Sequence, residues 1–84
     1  MVPIVIYTRD FCGYCSAAKA LLARKGVAFE ERNASSEPNA RQEMMARSGR
    51  STFPQIFIGE THIGGCDELH ALDAGGRLDP MLAS

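Results

Sequence analysis

The chain has 84 residues, 45% hydrophobic and 23% charged, with nine Lys and Arg against ten Asp and Glu for a net charge of −1. That length suits one domain, residues 1–84, with a thin core. The mixed charge gives no basic footprint for nucleic acid and no polybasic patch for a membrane, and no stretch approaches the about 20 apolar residues of a membrane span.

Pro3-Ile-Val-Ile-Tyr-Thr8 is a β-branched run that reads as a mostly buried strand. Residues 13–25 follow as a helix, with Ala18, Leu21, Leu22 and Lys25 spaced along one face and Gly26 as its stop. Val27 to Arg32 alternates and predicts a second strand. Ser35-Ser36-Glu37-Pro38 has the hydroxyl caps, acid and early proline of a helix start, and the helix is expected to run to about Ser48 before Gly49. Gln55–Ile58 is a third strand, Gly59-Glu60 a turn, and Thr61–Ile63 its hairpin partner. Gly64-Gly65 leads into a last helix over 66–74, closed by Gly75-Gly76. The predicted order is β-α-β-α-β-β-α. The first two strands, joined by a helix, run parallel with a right-handed crossover. The hairpin adds antiparallel strands, giving an α/β fold with a mixed sheet and helices on both faces.

The three cysteines are Cys12, Cys15 and Cys66. An odd count argues against a secreted disulfide framework. The opening MVPIVIYTRDF lacks the charged start and long apolar stretch of a signal peptide. The expectation is a cytoplasmic protein, where a close cysteine pair is more often catalytic or metal-binding than structural. Cys12 falls where the first strand meets the first helix. The unpaired N–H groups and positive end of that helix favour a thiolate there, and Arg9 is close in sequence. Cys15 lies nearly one turn further on, within disulfide reach, more buried and less acidic. The pair is therefore asymmetric: Cys12 attacks and Cys15 resolves. A zinc site is the competing reading of C-x2-C. Its other half would have to come from Cys66 with His62 or His70, and neither a second C-x2-C nor an H-x3-5-H is present.

C-G-Y-C after a short strand, T-F-P at 52–54 and G-G-C-D at 64–67 resemble a glutaredoxin of the small bacterial dithiol class. The resemblance runs nearly end to end, through KALLARKGV, RSGRSTFPQIFIG, HIGGCDEL and LDAGGRLDP. It implies a thioredoxin-like fold with four strands and three main helices. It also implies a cis bond before Pro54, and a backbone at Thr52, Phe53 and Pro54 that pairs with glutathione as an extended peptide. By the same resemblance, Gly65 and Cys66 at a helix start receive the γ-glutamyl carboxylate while Asp67 takes the ammonium. Arg9 and Arg41 match the positions that hold the glycyl carboxylate, and Tyr14 lines the groove. The implied activity is glutathione-dependent reduction of protein disulfides and protein–glutathione mixed disulfides by a monomer, with glutathione as co-substrate. Cys66, His62 and His70 receive no catalytic role.

Two positions depart from the family pattern. Phe53 stands where valine is usual, placing a larger side chain at the groove. Gly13 replaces the proline of C-P-Y-C, which frees the backbone between the sulfurs. Some glutaredoxins with a small residue at that point hold a [2Fe–2S] cluster between two chains, through two nucleophilic cysteines and two glutathiones. The alternative reading is such a cluster-binding dimer, with Cys12 as the ligand.

Overall fold

The computed structural model describes residues 2–83. Four strands form one sheet in the order β2-β1-β3-β4, where β1 is Ile4–Thr8, β2 Glu30–Asn33, β3 Gln55–Ile58 and β4 Thr61–Gly64. β1 runs parallel to β2, with Val5 opposite Glu30 and Thr8 opposite Asn33. It runs antiparallel to β3, with Ile4 opposite Ile58 and Tyr7 opposite Gln55. The β3–β4 hairpin carries an irregularity between Ile56 and Phe57. Helices α1 (Gly13–Arg24), α2 (Ala40–Ser48), α3 (Cys66–Ala74) and α4 (Leu78–Leu82) complete the described chain.

Alternation along β1 and β3 divides the side chains between two faces. Ile4, Ile6, Ile56 and Ile58 point to the face covered by Ala18, Leu21 and Leu22 of α1, Leu69 of α3, and Leu78 and Leu82 of α4. Tyr7 and Phe57 point the other way, under Ala40 and Met44 of α2. The second layer is finished by charged groups. The Arg47 guanidinium sits 4.0 Å from the centre of the Phe57 ring and donates to the Tyr7 hydroxyl at 3.0 Å. The Tyr7 hydroxyl donates to Glu43, which also receives Arg32 at 2.8 Å. These bonds, the Tyr7 one foremost, hold the Glu43 carboxyl below its ordinary range. On the first face Lys25 ties the end of α1 to Asp73 at 2.6 Å and to Asp79 at 2.9 Å.

Three boundaries differ from the sequence reading. β2 begins at Glu30, because pairing with β1 starts there. Val27 and Phe29 instead turn into the main core. α2 begins at Ala40 because Asn33 captures the intervening segment as a turn. Its Oδ1 accepts the Ser35 N–H at 2.8 Å and its carbonyl accepts that of Glu37 at 2.8 Å. A short fourth helix, α4, follows Gly76, and its Leu78 and Leu82 close the bottom of the core.

Candidate active site

β1 delivers the chain to a short loop, residues 9–11, that is fastened on both sides. The Asp10 N–H donates to Ser35 Oγ at 2.9 Å, and Asn33 Nδ2 donates to Asp10 Oδ1 at 3.0 Å. Arg9 Nη1 donates to the carbonyls of Asp10 and Phe11 at 3.1 and 3.3 Å. Cys12 then takes an extended conformation, φ −121° and ψ 104°, and caps α1. Its Sγ accepts the Cys15 N–H at 3.2 Å. The first turn of α1 holds no acidic residue, so nothing there opposes the positive end of the helix. Cys15 is sealed beneath, 2% exposed against 9% for Cys12. Burial first, then hydrogen bonding with the Cys12 sulfur, pushes the Cys15 thiol up to about 12. The two sulfurs thus differ in access and in surroundings, in the order that the sequence predicts.

Opposite Cys12 lies the Thr52–Pro54 loop. The Phe53–Pro54 bond is cis, and the Cys12 thiol faces the Phe53 carbonyl at 4.0 Å. The loop is braced from behind by Gln55, a buried amide on β3. Its Nε2 donates to the Thr52 carbonyl at 3.0 Å and to Thr52 Oγ1 at 3.1 Å. A carbonyl can only accept, so the amide nitrogen must face Thr52 and Oε1 must face His62, 2.7 Å away. His62 Nε2 therefore carries the hydrogen. The ring also stacks on Phe57 at 4.8 Å, and burial, with the charge of Arg50, depresses its pKa. His62, to which the sequence gives no catalytic role, is half-buried and braces the loop opposite Cys12.

The far wall is the start of α3. Gly64 has φ +115°, and a Cβ there would stand 2.5 Å from Glu68 Oε1. A Cβ on Gly65 would press to 3.3 Å from the Pro54 carbonyl, so glycine lets α3 close against the cis-proline loop. Glu68 Oε1 accepts the Gly65 N–H at 2.6 Å and lies 3.4 Å from Arg50. Between loop and helix runs a groove of about 300 Å³, walled by Tyr14, Arg50, Thr52–Gln55 and Gly65–Glu68. Asp67 is exposed at its rim, whereas Cys66 is buried. Burial, then the Asp67 charge, pushes the Cys66 thiol up, and the Cys66 carbonyl accepts His70 Nδ1–H at 2.9 Å.

A second pocket, about 310 Å³, shares Thr52 and Phe53 with the first and is walled by Arg9, Arg41 and Ser51. The Arg41 guanidinium lies 5.8 Å from the Phe53 ring centre. Neither Arg9 nor Arg41 is in an ion pair among the described residues. The fold thus gathers Tyr14, Thr52, Phe53, Pro54, Gly65, Cys66 and Asp67 around one trough near Cys12, with the two arginines at its other end. Sequence reasoning missed Arg50, Gln55 and Glu68. An acid three residues after the Gly65 cap is a readable signal for Glu68. Gln55 has none, since an amide inside an apolar strand announces no partner.

Among the described residues no group of three or more His, Cys, Asp or Glu is arranged to hold a metal ion. The glutaredoxin family model matches residues 4–63. Glutaredoxin 3 of Escherichia coli K12 is 56% identical over 82 residues, covering 98% of this chain and 99% of its own. The solution structure of glutaredoxin from Brucella melitensis superposes with a TM-score of 0.83 at 61% identity, over 98% of this chain and 89% of that one. A crystal structure of a buckwheat glutaredoxin–glutathione complex superposes at 0.89 with 33% identity, over 98% and 77%. The mixed sheet and its flanking helices are the thioredoxin-like fold of these neighbours, and the chain belongs to the glutaredoxin family.

Proposed function

We propose that this chain is a glutathione-dependent thiol–disulfide oxidoreductase in which Cys12 is the nucleophile and Cys15 the resolving thiol. The observation that carries the reading is the inequality of the two sulfurs. Cys12 caps α1, accepts the Cys15 N–H and stands beside an open groove, whereas Cys15 is sealed below. Negative charge on Cys12 is stabilised by the helix start, as a nucleophilic and good-leaving sulfur requires.

With a glutathionylated protein, the Cys12 thiolate attacks the glutathione sulfur. A Cys12–glutathione disulfide forms, the protein–glutathione bond breaks, and the protein sulfur leaves as a thiolate that takes up a proton. A second glutathione thiolate attacks the glutathione sulfur on Cys12 and leaves as oxidised glutathione, restoring Cys12. With a protein disulfide, Cys12 attacks one sulfur and expels the other. Cys15 then loses its proton and attacks Cys12 Sγ, releasing the second protein thiol. The charge and hydrogen bond of Cys12, which help hold Cys15 protonated, vanish once Cys12 is in a mixed disulfide, so Cys15 ionises more easily when it is needed. Two glutathiones reduce the internal bond.

Glutathione lies along the trough. Its peptide backbone pairs at Thr52–Pro54, its γ-glutamyl carboxylate meets the start of α3 at Gly65 and Cys66, and its ammonium meets Asp67. Its glycyl carboxylate reaches Arg9 and Arg41, and Tyr14 covers the middle. The buckwheat neighbour, solved as a glutathione complex, supports glutathione as the ligand. The chain works as a single-domain monomer in a reducing compartment such as the cytoplasm. An iron–sulfur cluster takes four ligands, so one chain with Cys12 would hold it only as half of a dimer in which each chain adds a glutathione.

The test is turnover of a glutathionylated substrate with glutathione. Cys12→Ser is expected to abolish it, while Cys15→Ser keeps deglutathionylation and loses reduction of protein disulfides. Activity that survives without Cys12 would overturn the reading.

A further inference from the structure

We propose that Phe11 is a docking contact for protein substrates, recognising an extended segment in which an apolar residue flanks the reactive cysteine and an acidic residue lies close by. The inference rests on the oxidoreductase reading and names the substrate class which that reading leaves open. Phe11 immediately precedes Cys12, and its side chain is 101% exposed. Tyr14, two residues beyond Cys12, is 67% exposed. Aromatic side chains are favoured anchors at protein interfaces, and two of them flank this nucleophile. Glutathione ends in charged groups and offers such a ring little to bury.

The backbone makes the exposure harder to dismiss. Phe11 has φ +56°, the left-handed region that a bulky side chain rarely adopts. Hydrogen bonds from Arg9 to the Asp10 and Phe11 carbonyls, from Asp10 to Ser35 and from Asn33 to Asp10 fix the loop in that shape. The backbone thus projects the ring into solvent, where it packs on none of the described residues. A backbone fixed before binding loses less freedom when the partner arrives. Charge indicates what that partner carries. Arg9 and Arg41, at the adjoining pocket, are in no ion pair among the described residues. When the substrate is a protein disulfide no glutathione carboxylate occupies them, and they favour an acidic residue close to the substrate cysteine.

The test compares the wild type with Phe11→Asn, a substitution that suits left-handed backbone and leaves the loop undisturbed. The substrates are glutathionylated free cysteine and three peptides, each supplied as its symmetric disulfide with glutathione as reductant, whose cysteine is flanked by Leu and Glu, by Ser and Glu, or by Leu and Lys. The wild type is expected to use the Leu–Glu peptide with a kcat/KM about 10-fold above that of the Ser–Glu or Leu–Lys peptide, about 1.4 kcal/mol. Phe11→Asn is expected to erase the Leu preference, to keep the Glu preference, and to turn over glutathionylated cysteine at the wild-type rate. Phe11→Leu restores the Leu preference. Equal wild-type rates on all three peptides overturn the proposal. So does a loss in Phe11→Asn that is the same for glutathionylated cysteine as for the peptides. Phe11-dependent dimerisation in sedimentation velocity also overturns it, by assigning the ring to a second copy of the chain. A wild type inert towards glutathionylated cysteine would instead defeat the oxidoreductase reading itself.

Discussion

On one face of the sheet α1, α3 and α4 bury a continuous aliphatic layer. On the other, α2 covers little more than Tyr7 and Phe57 and leaves Arg47, Glu43 and Arg32 to complete the seal. The division matches what the two ends of the site require. Cys15 and Cys66 belong to helices of the apolar face, where burial keeps a thiol protonated. Arg41 belongs to the thinly covered α2, where a guanidinium stays in water and free to meet an anion. Cys12 and the cis-proline loop lie between them. The difference teaches that one small sheet supports a dry sulfur store and a wet cation rim by covering its two faces unequally.

The contrast is tested most strongly in the core. Leu22→Ala on the aliphatic face is expected to cost about 3–5 kcal/mol, and Met44→Ala under α2 about 2 kcal/mol, because the lighter layer can close around the gap. Urea midpoints for the two variants check this, and equal losses would dissolve the distinction. Gln55→Leu comes next, at about 1–3 kcal/mol, since it leaves the His62 ring and the Thr52 carbonyl without their partner. The same variant is expected to raise KM for glutathionylated cysteine as the loop opposite Cys12 loosens.

A smaller effect appears in alkali. The Cys15 thiol is raised in the fold from 9.0 to about 12. Above pH 9 the unfolded chain therefore gives up this proton before the folded one does. Stability falls between about pH 9 and 12, by roughly 1 kcal/mol at pH 10. Cys15→Ala is expected to flatten that part of the stability–pH curve of the reduced protein. His62 acts at the other limit. Its depressed pKa keeps the ring neutral in the fold, so stability falls as pH drops below about 6.5. The smallest change is a gain. Gly13 opens α1, a Cβ there meets nothing within 4 Å, and Cys12 already has the extended backbone that a following proline demands. Gly13→Pro is expected to add about 0.4–1 kcal/mol, read as a rise in Tm.

The parts of this molecule that were legible beforehand are those whose signal is local. The β-branched run Ile4–Thr8 and the apolar stripe through Ala18, Leu21 and Leu22 declare a strand and a helix by periodicity alone. The C-x2-C pair at their junction then places Cys12 at a helix mouth. The start of β2 is not local, because it depends on where β1 offers partners. α2 starts late because one side chain, Asn33, competes for the backbone. α4 is five residues long with Pro80 in its first turn, a composition that hides a helix stabilised by burying Leu78 and Leu82. In the site, T-F-P and G-G-C-D are visible as motifs. The Gln55–His62 brace exists only once β3 and β4 are paired.

One atom serves two masters. The sulfur of Cys12 is both the nucleophile we propose and the acceptor that closes the first turn of α1. Once linked to another sulfur it carries no charge and accepts poorly, so the helix favours the reduced state. By linkage, any change that tightens this cap makes the protein a weaker reductant, and any change that loosens it a stronger one.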